Sequence, residues 1–450
     1  MSLRFRRWLF AAFVLAFLIM ATLIVPYAFG YKLDGSGWKL QKTGMFVIET
    51  KPKGAQIYLN DKLQTSNLLI WKSEQSKAIQ TPTKLSHVSP GNYRVRLDLD
   101  GYWPWEKELS VRAGESTYLE DVRFFKRNLP ELLFKTESND KINNLVSADK
   151  NWLAYNVGKE LKLYNLETET TENLATGTFD NLDWSADSTW LIADRLAINS
   201  VDRTQVNLAS LNTQKIWPGE LANQVCYQNK NGLASFDLKT KESSLILNNK
   251  NQNISDCLIK ESYSYIIRQG AKHSELVITK NGSGKELGII ALPRLAQYQL
   301  INSDSKQINI WDSNSHKLIL ISINLPWTNN YTVKTITNPV NQSYWIDDNR
   351  LLYSSDFEIW LYDLSANQHN LLTRVSRPIN NIFWHPSQNY IVFATDQDIS
   401  SLELDNRERH NITKLLTMQI DSQVMIDKDA KVLSFFGQLG QQSGYWQLEL

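Results

Sequence analysis

The feature that most constrains this chain is a repeat of about forty residues that runs from Leu129 to Leu450. Each copy reads as a strand, a polar turn holding Ser or Asp, a second apolar strand, and a third strand ending aromatic–Asp/Asn–Leu. The clearest turns are Val146-SADKN-Trp152, Trp184-SADST-Trp190, Trp345-IDDNR-Leu351 and Trp384-HPSQN-Tyr390. The third strands include Leu163-Tyr164-Asn165-Leu166, Phe236-Asp237-Leu238 and Leu361-Tyr362-Asp363-Leu364. Taking the first apolar residue of each expected second strand as a marker gives Leu153, Leu191, Val225, Ile266, Ile308, Leu351, Ile391 and Val432. The intervals are about 38, 34, 41, 42, 43, 40 and 41 residues.

A period near 40 with three or four strands per unit is the signature of a β-propeller, because stacking buries the faces that a single unit leaves open. The span 129–450 holds about eight units. The third to fifth are degenerate, which keeps seven as an alternative. The last unit has strands near 421–426, 431–436 and 444–450 and lacks a fourth. A stray strand, Glu131–Lys135, precedes the first unit and is predicted to pair with 444–450, hiding an edge that would otherwise aggregate.

The N-terminus constrains the chain differently. Residues 8–30 are almost wholly apolar, with Thr22 the one polar residue between Trp8 and Val25. About 20 such residues cross a hydrocarbon core as a helix. Arg4, Arg6 and Arg7 precede the stretch, so the positive-inside rule predicts a single-pass plasma-membrane anchor. Residues 1–7 are then a cytoplasmic basic tail and everything after about Tyr31 is extracytoplasmic. Tyr27, Phe29, Tyr31 and Trp38 fit an aromatic belt. Ala28-Phe29-Gly30 also suits a signal peptidase, but an apolar run of about 18 residues exceeds the usual h-region of about 7–15, so an uncleaved anchor is expected. No cysteine lies near it, which excludes a lipoprotein anchor.

After a linker at 31–43 with Gly35-Ser36-Gly37, residues 44–126 alternate in the manner of a small antiparallel sandwich, most strictly at Tyr93-Arg94-Val95-Arg96-Leu97. Thr50-x-Pro52-x-Gly54-Ala55, Thr81-Pro82, Pro90-Gly91-Asn92-Tyr93 and Asp100-Gly101-Tyr102 punctuate it. At these residues the stretch resembles the PEGA domain family, with Lys53 where Glu is usual and an insertion at about 65–80. The resemblance implies a surface-exposed β-sandwich of envelope proteins without catalytic residues. Trp103 and Trp105, flanking Pro104, are its candidate binding residues, a stacking platform for a sugar or peptide; packing against neighbouring structure is the plainer reading. The repeats at 129–450 resemble the TolB-like, WD40-like propellers through their W-S-A-D and W-H-P-S turns, which lack that family's Gly. That resemblance implies a fold and no chemistry.

Composition narrows function. The 48 basic and 47 acidic residues nearly cancel, against a nucleic-acid partner, since affinity for phosphates needs a basic surface. Two cysteines and six histidines exclude a disulfide scaffold and a dense metal cluster. Fifteen tryptophans and eighteen tyrosines suit strands. His87, His273, His316, His369, His385 and His410 form no metal-ligand spacing, and His385 reads as a turn residue. Asp149, Asp187, Asp348 and Asp427 recur at one turn, which argues for turn hydrogen bonds and against paired catalytic carboxylates. Cys226 and Cys257 fall on adjacent units; free thiols are the first reading and a disulfide the second.

The expectation is an all-β chain: N-terminal transmembrane helix, PEGA-like sandwich as stalk, and a propeller of eight or seven blades. It is expected to catalyse nothing and to need no cofactor or metal. Its partners are the lipid bilayer, through residues 8–30, and an envelope protein, peptide or glycan, through the propeller. The rivals are a hydrolase or lyase acting on envelope polymers, which needs His, Tyr, Arg or carboxylates clustered at one end of the channel, and a structural surface-layer component.

Overall fold

Long apolar sequence forms one helix here, and short alternating sequence forms strands nearly everywhere else. The structure is a computed structural model and describes residues 3–33, 40–66, 77–136, 142–213, 215–219, 223–248, 253–294, 296–301 and 306–450. The chain divides into two units, one of residues 1–129 with 401–415, the other of 130–400 with 416–450.

In the first unit the helix spans Leu3–Ala28, and Phe5–Ala28 is long and apolar enough to cross a membrane. Its side chains cover one another poorly: Trp8 is 78% exposed and Phe13 68%. Tyr27 stacks on His87 with ring centroids 4.1 Å apart, and a His87 ring nitrogen lies 2.9 Å from the Tyr27 carbonyl. Within the expected linker, Tyr31–Leu33 pairs antiparallel with Leu40–Lys42. The Gly35–Gly37 stretch and Trp38 lie outside the described residues.

The sandwich sets a sheet of Trp105–Val111, Gly91–Asp98, Gln56–Leu59 and Lys62–Leu63 against one of Ser116–Arg123, Gly44–Lys51 and Thr83–Val88. Alternation along Gly91–Asp98 and Trp105–Val111 sends Val95, Leu97, Leu109 and Val111 into a core with Phe46, Ile48, Ile57 and Leu119. The expected antiparallel order fails at one pair. Ser116–Arg123 runs parallel to Gly44–Lys51, because the chain passes through the other sheet before returning. The threonines of the turn motif are buried. Their hydroxyls lie 2.6 Å apart, and the Thr81 hydroxyl accepts from the amides of Gly54 and Ala55 at 3.2 and 3.0 Å. Gly54 sits at φ 100°, which a side chain resists.

Nothing in the sequence marked 401–415 as part of this unit. Lys107, with a fully buried side chain, pairs with Glu403 at 3.1 Å and donates to the Asp405 carbonyl at 2.7 Å. Arg407 clasps the Asp405 carboxylate at 2.6 Å and donates to the Tyr118 carbonyl. Burial pushes Glu403 above the usual carboxylate range despite the Lys107 charge. Asp405 stays below that range through its bonds to Arg407 and the Lys107 charge, which outweigh its partial burial.

Among the described residues the second unit holds eight antiparallel sheets in chain order. Seven are four-stranded, beginning at Asn144–Val146, Leu182–Trp184, Ile216–Pro218, Ile254–Lys260, Tyr298–Ile301, Gln342–Trp345 and Ile379–Trp384. The eighth is Val432–Leu439 and Gln442–Glu449 with Gln419–Ile420 and Met425–Ile426 on one side and Glu131–Lys135 on the other. All eight markers fall on second strands of these sheets. Residues 131–135 pair with 444–447, as the missing fourth strand required. Apolar clusters join neighbouring sheets: the first to the second, the fourth to the fifth, and the first to the eighth through Tyr155, Tyr164, Phe436 and Tyr445. The arrangement is consistent with a propeller whose first and last sheets pack together.

Candidate functional site

The repeated polar residues are explained by local hydrogen bonding. In the first turn, the Ser147 hydroxyl donates to Asp149 at 2.5 Å and accepts the Trp152 amide at 3.0 Å. Ser185, Asp187 and Trp190 repeat this at 2.7 and 2.9 Å. His385 takes the serine's place: buried, with Nδ1 2.8 Å from the Ser387 hydroxyl, it is a turn residue. The fourth residue of each turn (Lys150, Ser188, Gln388) has φ near 60°. Asp427 accepts from Lys431 and Val432 amides. Asp348 departs from the expectation; its neighbour Asp347 accepts the Asn349 and Arg350 amides, while Asp348 pairs with Lys306 at 2.6 Å. At the ends of third strands, Asn165, Asp237 and Asp363 accept amides two or three residues on, an Asx turn.

The inner strands use polar side chains to tie one sheet to the next. Asp256 accepts the Leu300 amide at 2.6 Å, Asn381 accepts Val424 at 2.9 Å, and Gln342 accepts Ile382 at 3.1 Å while donating to the Asn380 carbonyl. These bonds account for polar residues on the first strands of their sheets.

One region is not consumed this way. Asn143, Asp180–Asp183, Ile192, Asp194, Arg195, Thr213 and Lys215–Pro218 line a cavity of about 550 Å³ across the first three sheets. Its floor is organised by Asp194, held at φ 49°, whose carboxylate accepts the Asp180 and Asn181 amides at 2.9 and 3.1 Å. The Asn143 side-chain amide donates to the Asp180 carbonyl at 2.9 Å. Asp183 is exposed, yet partial desolvation by the surrounding wall pushes its carboxyl up to about 6, against the pull of its bond from the Trp184 amide. Asp256 is likewise pushed up to about 6 by burial, with the Asp183 charge adding to the rise. Trp217, half-buried, packs on a cluster that includes both cysteines. Sequence reasoning passed over these residues; the signal available was Asp and Trp at inner-strand positions held by Leu145 and Ile301 in other repeats.

The cysteines correct the first reading. Cys226 and Cys257 form a disulfide joining the third and fourth sheets, with Cα atoms 6.4 Å apart. Trp217 is the strand partner of Cys226, so the bridge braces the cavity wall.

The two candidate tryptophans are not a paired platform. Trp105 is 6% exposed within the sandwich core, and its indole N–H lies 3.1 Å from both Glu403 oxygens. Its inward-facing position on Trp105–Val111 puts the ring in the core. Trp103 is half-buried under Arg127, whose guanidinium sits 5.9 Å from the ring centre. Among the described residues no group of three or more His, Cys, Asp or Glu is placed to hold a metal.

A family model for the PEGA domain matches residues 75–123. This covers the Thr81-Pro82, Pro90-Gly91-Asn92-Tyr93 and Asp100-Gly101-Tyr102 turns, so this stretch is similar to that domain. No curated protein sequence matches the chain. Similar solved structures include a chain of a mitotic checkpoint complex, at 11% identity over 72% of this chain and 90% of that one, with TM-score 0.38. A eukaryotic initiation factor is similar at 10% identity over 72% and 88%, TM-score 0.43. A computationally designed protein is similar at 10% identity over 71% and 100%, TM-score 0.48.

Proposed function

We propose that this chain is a membrane-anchored, extracytoplasmic binding or scaffold protein that performs no chemistry of its own. The helix anchors it in the plasma membrane with residues 1–7 in the cytoplasm. The PEGA-like sandwich is a spacer, and an eight-bladed propeller is the platform for an envelope protein, peptide or glycan.

The observation that carries the reading is the contrast within the second unit. Recurrent Ser, Asp, Asn and His side chains are occupied by their own turns and seams, whereas the cavity keeps charged and aromatic groups turned to solvent. Two further facts support it. A helix this apolar and this exposed needs a hydrocarbon covering, since soluble proteins rarely leave such patches bare. A structural disulfide suits an oxidising compartment. Against the enzyme rival, Asp256 has both oxygens engaged by backbone amides, and no histidine lines the cavity.

Protease added to spheroplasts should digest the chain beyond about residue 40 while the N-terminal segment stays with the membrane. Pull-down from solubilised membranes should recover a partner that is lost on mutating the cavity. A soluble mature form starting near Tyr31 would overturn the anchor, and turnover of an envelope polymer by the purified chain would overturn the non-enzymatic reading.

A further inference from the structure

Two carboxylates occupy one register position in alternate sheets. Asp183 lies opposite Ile192 and Asp256 opposite Ile267, each partner directly following a second-strand marker. Asp256 uses both oxygens, taking the Cys257 amide at 2.8 Å and the Leu300 amide of the next sheet at 2.6 Å. Asp183 takes the Trp184 amide at 2.9 Å on Oδ1, and Oδ2 has no partner among the described residues. The side chain that is a seam bond in the fourth sheet is, in the second, an open acceptor on the cavity wall.

The rest of the wall complements it. Asn143 and Asn181 commit their side-chain N–H groups to the Asp180 carbonyl and to Asp194, which leaves their Oδ1 atoms as acceptors. Arg195 and Lys215 are exposed cations whose side chains make no ion pair among the described residues. Trp217 supplies a flat apolar surface, fixed from behind by the Cys226–Cys257 bridge. Acceptors, donors and one indole therefore share a space whose volume lies within the roughly 300–1,000 Å³ of small-ligand sites.

We infer that this cavity binds an uncharged saccharide segment. The inference rests on the reading of the ring as a binding platform and names the ligand class. Each sugar hydroxyl is at once a donor and an acceptor, so a vicinal pair can give to a carboxylate or amide oxygen and take from a neighbouring cation. The C–H face of the ring is apolar and packs on indole. Asp180, Asp183 and Asp194 nearly balance Arg195 and Lys215, so a ligand of one sign meets repulsion from part of the wall and no field steers it in.

The test uses the full chain in a detergent without a sugar headgroup, titrated calorimetrically with cellotetraose, maltotetraose and tetra-N-acetylchitotetraose. Trialanine, which carries both charges, is the competing probe. At least one tetrasaccharide should bind saturably. Asp183→Asn and Lys215→Gln should each weaken it by about tenfold or more, the scale of a hydrogen bond to a charged group. Both variants keep side-chain size and should melt with the parent; Lys215→Gln serves if Asp183→Asn alters folding. Binding that ignores both substitutions overturns the site. Trialanine binding lost in Asp183→Asn, with no sugar bound, overturns the saccharide and keeps the platform. Absence of binding by every probe, together with a pull-down unaffected by these substitutions, overturns both.

Discussion

Replacing Gly444 by alanine should open the seam between the first and last sheets of the repeat unit. Gly444 lies opposite Lys135 in the strand pair that completes the eighth sheet. A Cβ there would run into the Phe134 carbonyl oxygen and lie 2.6 Å from Leu132 Cδ1 and 3.1 Å from Lys135 Cα. Two of these obstacles are backbone, so no rotamer change relieves them, and the strand Glu131–Lys135 must shift. Overpacking typically costs about 1–3 kcal/mol, and a backbone clash belongs at the upper end. The shift also moves Phe134, whose ring centroid lies 5.3 Å from Tyr155, 5.2 Å from Tyr164 and 5.3 Å from Tyr445. Those aromatics belong to both sheets, so the loss is felt on either side of the seam. About 3 kcal/mol corresponds to roughly a hundredfold in an opening equilibrium. Hydrogen exchange read by mass spectrometry should accelerate by that factor at 131–135 and 442–449, and not at Tyr93–Leu97 in the sandwich. The freed edge should also promote self-association on size exclusion. Exchange within about threefold of the parent, with unchanged elution, would refute the closure argument.

Lys107→Met should cost about 3–5 kcal/mol of local stability, because it leaves Glu403 buried without its cation, and exchange at 105–111 and 401–411 should rise more than a hundredfold. Lys107→Met with Glu403→Gln should recover most of that loss; an additive double variant would show that the pair is not coupled. Breaking the Cys226–Cys257 bridge, whose cysteines are 31 residues apart, should destabilise the third and fourth sheets by about 3–4 kcal/mol, visible as a lowered melting temperature under reductant that Cys226→Ala with Cys257→Ala reproduces. Asp256 binds its proton more tightly in the folded chain, so its contribution favours folding below about pH 4 and is lost as pH rises through about 6. Asp256→Asn should therefore gain on the parent by up to about 3 kcal/mol between pH 4 and pH 7 in denaturant titrations, and a pH-independent difference would contradict the shift.

How much of this was legible in sequence follows from how far each determinant reaches. The sheet order was legible because a turn is local: Ser147, Asp149 and Trp152 lie within six residues and rebuild the same hydrogen bonds wherever they recur. Even in the fourth sheet, where no such turn exists, Ile266 lands inside the second strand, though fourth in it and not near its start. The seam strand was legible because the last repeat lacked a partner and the first had one too many. The parallel pair in the sandwich was not, since alternation along Ser116–Arg123 reads the same in either direction. Nor was the burial of Trp105, whose indole partner Glu403 lies 298 residues away. The disulfide depended on two inner faces meeting at 6.4 Å between Cα atoms, which no spacing encodes.

The cavity was hidden for a further reason. A polar residue on an inner strand has two physical uses, and sequence writes both with the same letters. Asp256, Asn381 and Gln342 are inner-strand polar residues whose oxygens cap an amide of the following sheet, and each such bond removes an unsatisfied backbone donor from the seam. A carboxylate costs more than an amide in that role, because enclosure raises its proton affinity, as at Asp256. Asp183, exposed on the cavity wall, is also pushed up to about 6 by partial desolvation, and has no seam bond to show for it. An asparagine or a leucine would serve packing equally well there, as Leu145 does at the matching register of the first sheet. A carboxylate whose second oxygen the fold leaves open, on the wall of a cavity, points to something that arrives from outside. Asp183→Asn, which keeps the side chain's size and leaves the sheet intact, should therefore remove ligand binding without lowering the melting temperature.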